Sequence, residues 1–418
     1  MKNKRTLNIK WLANSIRGIY VGILTGLCIV LFANTISLMG ELNTKNPFAF
    51  LLLVPCAIIS YYVYKKVGED FKKATVFAID EIHSDEEQNL VNAHKKSHVS
   101  PFMGIVGYFM SSIAHLAGAS VGKEGVGVQI GLSIASFAKK GEEKLLKKAD
   151  TNKDYFLMSG AAAAFSALFG SPVAGVLFGT QFASPDITRL DAFLPCVLSS
   201  ISAYFVSSAL SIHILHIPYF TELTLTLGNT IYVGLFGLLI GLMAKLFCYG
   251  LEKFKEASHK IFKNQVSNII FPAFLVTCII FANYLINKDF SYNGLSSGLL
   301  YSSISDSVPL HAFIVKAALI FLSIAAGFVG GEVVPLLVLG STFGFTFATL
   351  LGLPTGAFAA LGALGMLSGG TNLPVVCFVL GFELFHYDEP VLLFVAVAMA
   401  FIASGNESIY AHQHKKIS

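Results

Sequence analysis

From residue 332 to 404 the chain is almost continuously apolar, broken only by Gly, Pro and short polar turns. Further apolar segments lie near 19–39, 49–64, 101–121, 155–170, 191–212, 229–248, 269–286 and 310–327. Several reach the roughly 18 residues at which an apolar run suggests a membrane-spanning helix. Composition agrees: charged residues make up 13% and the apolar set 54%, against about 25% charged in soluble domains. A soluble fold would have too little polar surface to cover itself. The long alternation that a β-barrel needs is missing, so the spans read as helices. The sequence predicts an all-α polytopic membrane protein.

Other classes fall away. A net charge of +4 over 418 residues makes no basic footprint for nucleic acid. Cys28, Cys56, Cys196, Cys248, Cys278 and Cys377 lie in or beside apolar stretches without CxxC spacing, which indicates neither a disulfide framework nor a zinc site. An enzyme reading has no nucleophile–base pair or metal-ligand spacing behind it. GVGVQIG lacks the preceding strand and the Lys-Ser/Thr pair of a nucleotide loop, so no cofactor is expected. The N-terminus carries Lys2, Lys4, Arg5, Lys10 and Arg17 before its apolar segment. It reads as retained and cytoplasmic by the positive-inside rule, in a multi-pass plasma-membrane protein. Charged stretches at 65–98 and 138–153 read as solvated linkers.

Glycine carries the next layer of information. It bunches inside apolar sequence at GASVGKEGVGVQIG (118–131), GAAAAFSALFGSPVAG (160–175), GFVGGEVVPLLVLG (327–340) and GALGMLSGGTNLP (362–374). Helices broken by Gly and Pro are tolerated in a membrane where the backbone lines a cavity or is buried in protein. The breaks are paired. Pro172 and Pro374 fall at matching places in two similar segments, and upstream of each lies a Gly-rich turn with one acid, Glu124 or Glu332. This order of signals predicts an internal duplication, a first repeat near 15–215 and a second near 225–412, within one membrane transport domain over 1–418 without a cytoplasmic regulatory domain. Inverted topology is the commoner arrangement for such repeats.

A helix broken inside a membrane offers free N–H groups and a positive dipole end, which favour an anion. Two such ends converging at mid-membrane would bind an anion weakly enough to release it. Glu124 and Glu332 are acids beside those turns, and an intramembrane acid is by default a functional-site hypothesis. A carboxylate there can occupy the anion site itself and withdraw when protonated, which couples anion to proton movement. An inert helix-start acid would occupy the same place.

VGKEGVGVQIG, GSPVAGVLFGTQ and GGEVVPLLVLG, in this order, resemble signatures of the CLC anion channel and transporter family. The resemblance implies a homodimer in membrane lipid, one pore per subunit, two inverted halves, and re-entrant helices whose N-termini face a mid-membrane anion site. It makes Glu124 the gating glutamate at the extracellular end. Backbone at Glu332, Val333 and Val334, and around Lys123, Gly125 and Val126, would line the anion sites, and Tyr410 in GNESIYAHQ matches a pore tyrosine. KKATVFAIDEIH (72–83) stands where chloride-type members carry a GSGIP turn. Together with Glu332 and FELF (382–385), it is similar to the fluoride/proton antiporter branch. The proton-transfer acid of chloride antiporters falls at Gln181-Phe182 and is lacking. The chain departs from the branch at Ala74-Thr75-Val76, at Val334 and at Lys123. Thr75 could supply a hydroxyl as the chloride-type serine does. Fluoride export against protons is therefore the leading expectation, with a chloride/proton antiporter or passive chloride channel as the alternative. A cation or metabolite symporter would want more buried acids.

Other residues read as structural. His115 in an apolar helix is expected to bond a neighbouring carbonyl. Asp80, Glu81 and His83 read as capping a solvated helix end, and Glu383 as a wet helix terminus. On position alone Tyr410 fits an interfacial aromatic belt.

Overall fold

Among the described residues, five apolar helices are long enough to cross a membrane, over Asn14–Lys45, Phe48–Val67, Leu227–Ser258, Gln265–Asn287 and Val333–Leu351. The remaining apolar helices have 10–17 residues. Ten residues rise about 15 Å, half of a hydrocarbon core of about 30 Å. The shortest of these end inside the membrane, where only protein or a lined cavity can satisfy their terminal backbone groups.

The computed structural model describes residues 2–87, 99–146, 154–185, 189–190, 192–210, 215–221, 223–262, 264–410 and 412–413. The first half comprises α1 (Lys2–Lys45), α2 (Leu53–Val67), α3 (Ala74–Glu87), α4 (Met103–Leu116), α5 (Glu124–Leu146), α6 (Asp154–Phe169), α7 (Pro172–Gln181) and α8 (Phe193–Ala209). The second comprises α9 (Leu227–Ile261), α10 (Gln265–Asn287), α11 (Ser297–Ser305), α12 (Ala312–Ala325), α13 (Val333–Leu351), α14 (Thr355–Thr371), α15 (Pro374–Glu383) and α16 (Pro390–Ser404). Among the described residues there is no β-strand, only an isolated antiparallel bridge between Gly122 and Gly331.

The duplication is written in the backbone. α4 and α12 both have 14 residues, and α7 and α15 both have 10 and open on proline. Gly118 and Gly327, which follow α4 and α12, take φ of 78° and 79°, while Gly170 and Asn372, two residues before the prolines, take 65° and 59°. These left-handed residues turn the chain between broken helices, a conformation that glycine adopts without the steric cost of a Cβ.

Small residues draw the helices together. A Cβ on Gly131 would strike the Gly160 carbonyl between α5 and α6, and one on Gly340 would strike the Gly362 carbonyl between α13 and α14. Such close approach is the usual means of helix association in lipid. α13 and α14 are buried along most of their length and form the centre of the molecule. Leu31, Phe205, Leu246 and Ile402 are exposed on the outside, which suits a lipid-facing surface.

The charged stretches are more structured than linkers. α5 continues through Lys139 and Glu142: Lys139 pairs with Glu81 at 3.1 Å, and Glu142 takes Arg17 and the Tyr20 hydroxyl. Charges on a helix that continues out of the apolar zone have fixed partners to meet, so these side chains are not merely solvated. The remaining parts of these stretches, 88–98 and 147–153, lie outside the described residues, as do the side chains of Lys2, Lys4, Arg5 and Lys10.

Candidate anion and proton site

Two Gly-rich turns from opposite halves of the chain meet face to face. Gly122 N–H donates to the Gly331 carbonyl and Gly331 N–H to the Gly122 carbonyl, both at 2.7 Å. A Cβ on Gly331 would collide with the Gly125 amide nitrogen, and one on Gly125 would lie 2.8 Å from Gly331 Cα. Only glycine permits this backbone contact. The pairing brings the starts of α5 and α13, and with them two positive dipole ends, to one place.

Glu124 opens α5 and is 1% exposed. Its Oε2 accepts from Val334 N–H at 3.4 Å, and the amides of Lys123 and Glu124 itself also face the carboxylate. Oε1 has no partner among the described residues. A carboxylate thus sits where two helix starts present amide donors, the position an anion would otherwise take. Gly125 and Val126 follow in the first turn of α5, with Val126 buried, and Val333 and Val334 open α13, also buried.

Above Glu124 lies a vestibule of about 760 Å³. Lys123, Glu124, Leu168, Phe169 and Val334 border its inner part, Glu41 and Lys45 from the end of α1 its rim, and Ser291 with residues 293–298 one wall. His115 also borders it, and its Nδ1 donates to the Ser111 carbonyl at 2.8 Å. The expected carbonyl bond is present.

Glu332 is the N-cap of α13 and half-buried. It is absent from the vestibule lining. Instead it lies within Coulombic reach of Tyr410 and Cys248. Tyr410 belongs to the segment after α16, which folds back so that Ile409 N–H meets the Gly370 carbonyl at 2.8 Å. The Tyr410 ring stands 6.2 Å from Phe178, and Phe178 stacks on Phe165 and Phe182 at 4.6 and 5.5 Å. Tyr410 therefore packs inward among aromatic rings and acids. Glu124 faces the Val334 amide and the vestibule, while Glu332, the N-cap of α13, lies outside the vestibule lining, and both acids are within electrostatic reach of Tyr410. Thr75 is half-buried in the first turn of α3 and is not part of the vestibule lining. The Gln129 amide of α5 donates to the Phe71 carbonyl before that turn at 3.0 Å and to the Met103 carbonyl at the start of α4 at 2.6 Å.

Two readings change. Glu81 and His83 are buried within α3, not on a wet helix end: Glu81 meets Lys139, and His83 Nε2 meets Ser184 Oγ at 3.0 Å. Asp80 pairs with His412 at 2.8 Å. The partners come from distant segments, which local sequence does not announce. Glu383 is not a wet terminus either. Its carboxylate accepts from Val173 and Ala174 N–H at 2.8 Å each, capping α7 from α15. Sequence reasoning also passed over Lys316, buried in α12; its signal was a lone lysine inside the apolar run 310–327.

The family model for the voltage gated chloride channel matches residues 56–405. The chain belongs to this family. A chloride/fluoride channel protein of Pseudomonas syringae pv. tomato is 28% identical over 407 residues, covering 97% of this chain and 86% of the relative. The H(+)/Cl(-) exchange transporter ClcA of Vibrio cholerae serotype O1 is 23% identical, with coverage of 94% and 86%. Among solved structures, a CLC-type fluoride/proton antiporter superposes with a TM-score of 0.85 at 24% identity, covering 97% of this chain and 98% of that one. The fold is the all-α CLC fold, and the chain is a membrane protein.

Proposed function

We propose that this CLC protein transports halide across the plasma membrane, exporting fluoride in exchange for protons, and that it acts as a homodimer with one pore per subunit. The observation that carries the reading is the Glu124 carboxylate, buried between the starts of α5 and α13 and accepting from Val334 N–H. Ionised, it fills the anion position; protonated, it loses its attraction for the helix ends and yields to a halide. The amides at Lys123, Gly125, Val126, Val333 and Val334, with the Thr75 and Tyr410 hydroxyls, form the halide path. Glu332, beside Tyr410, serves as a second proton site or as part of the fluoride site. Fluoride, the smallest and most basic halide, gains most from hydrogen-bond donors.

With the lysine-rich N-terminus in the cytoplasm, α1 carries Glu41 and Lys45, and the vestibule they border, to the outer face. Names of similar proteins support both halides: a chloride/fluoride channel protein, a fluoride/proton antiporter and a chloride exchanger. Glu332 favours fluoride. The test is efflux from proteoliposomes loaded with either halide. Fluoride efflux is expected to exceed chloride efflux; equal or faster chloride flux would move the protein to chloride exchange or conduction.

A further inference from the structure

α12 is among the most apolar helices of the chain, yet Lys316 sits within it, fully buried at 0% exposure. Its ammonium donates to the Gly294 carbonyl at 2.6 Å and to Ser296 Oγ at 2.8 Å. Both acceptors are neutral, and among the described residues these two are its polar contacts. An ammonium carries three donors, and an intramembrane charge without a counter-ion is costly enough to point to function. Both acceptors belong to the vestibule wall. The charge therefore lies directly behind the surface that faces the cavity above Glu124.

The wall itself is anion-friendly. Ser296 Oγ accepts from Lys316 while its hydroxyl donates weakly within the wall, a long bond that a halide can replace. Its protein acceptors, the Asn293 and Gly294 carbonyls, are distant at 3.3 and 3.4 Å. Ser296 is also the N-cap of α11 without capping through its side chain, and Ser297 and Gly298 of the first α11 turn border the vestibule. A helix start, a hydroxyl proton and a buried positive charge thus converge on one wall. Gly294 N–H to the Gly118 carbonyl at 3.0 Å, and Asn293 to Asn43 at 2.8 Å, hold that wall in place.

We propose that Ser296 and the start of α11, charged from behind by Lys316, form a halide-docking station in the vestibule, separate from the amides around Glu124. The Ser296 hydroxyl donates to the halide, and Lys316 acts through it as the steering charge. Through a low-dielectric wall such a charge raises the local halide concentration where water-screened surface charges do not. The station rests on the halide-transport reading given above.

The experiment measures fluoride transport in proteoliposomes against fluoride concentration for the parent, Lys316→Gln, Lys316→Arg and Ser296→Ala, each first checked for folding by size-exclusion profile. Gln keeps a donor and loses the charge; Arg keeps both. Lys316→Gln and Ser296→Ala are expected to raise the half-saturating fluoride concentration about three- to ten-fold, with maximal rate within about two-fold, and Lys316→Arg to stay near the parent. If Lys316→Gln matches the parent, Lys316 only clamps the wall and the proposal falls. It falls equally if Ser296→Ala leaves half-saturation unchanged. A parent that moves no halide overturns the transport reading, and the station with it; a transporting parent with unchanged variants overturns the station alone.

Discussion

Glu124 and Glu332 sit at the starts of α5 and α13 and meet different surroundings. Glu124 meets Val334 N–H under the vestibule, whereas Glu332 is the N-cap of α13 and lies outside the vestibule lining. Glu124→Gln fixes the neutral form permanently. Proton movement is expected to stop, while halide movement either stops or becomes passive, read by simultaneous halide-electrode and pH recording; undiminished coupling would refute the gating role. Glu332→Ala is expected to abolish coupling or sharply weaken fluoride transport in a folded protein. Glu332→Gln keeps size and a donor, so it should retain more halide flux than Ala yet still lose coupling. If both variants exchange fluoride for protons as the parent does, Glu332 is only a helix-start acid. Both glutamates stood out in the sequence as acids in Gly-rich apolar turns, and the structure puts each at a helix start. Glu383 was misread because its partners, Val173 and Ala174 N–H, lie in the other half of the chain. Lys316 was passed over because a single lysine in a helix pattern does not tell what it faces.

At the scale of elements, the molecule depends on helix starts being satisfied and brought close. The Gly122–Gly331 pairing sets the distance between the α5 and α13 starts, and a Cβ at Gly331 meets the Gly125 amide nitrogen, which is backbone and cannot swing away. Gly331→Ala should therefore separate the two starts, lower thermal stability by about 1–3 kcal/mol and abolish halide transport. Gly228→Ala, where a Cβ meets nothing within 4 Å, should leave both unchanged, and a silent Gly331→Ala would mean that the turns need no such closeness. At the α7 start, Glu383→Ala removes the acceptor of two amides and should cost about 1–2 kcal/mol, seen as a lower unfolding temperature. Glu383→Gln, which keeps one good acceptor, should fall between. Prolines, glycines and the spacing of turns marked nearly all these breaks in the sequence. The pairing of one turn with the other did not show, because it joins residues about two hundred positions apart.

Over the whole molecule, the duplication gives two broken-helix sets whose turns have matching left-handed residues, Gly118 with Gly327 and Gly170 with Asn372. The duplication was readable from motif order; the meeting of its halves around one buried carboxylate is a product of folding. A homodimer is expected in detergent, and a light-scattering mass of one subunit would contradict it. In the proposed exchange a halide and the Glu124 carboxylate alternate at the paired helix starts, so that fluoride leaving must bring protons in. The most direct measurement loads proteoliposomes with fluoride, clamps the membrane potential at zero and records pH inside and out. An outward fluoride gradient should drive protons inward against their own gradient, and Glu124→Gln should abolish this. Fluoride efflux with no proton uptake, or uptake unchanged in Glu124→Gln, would contradict it.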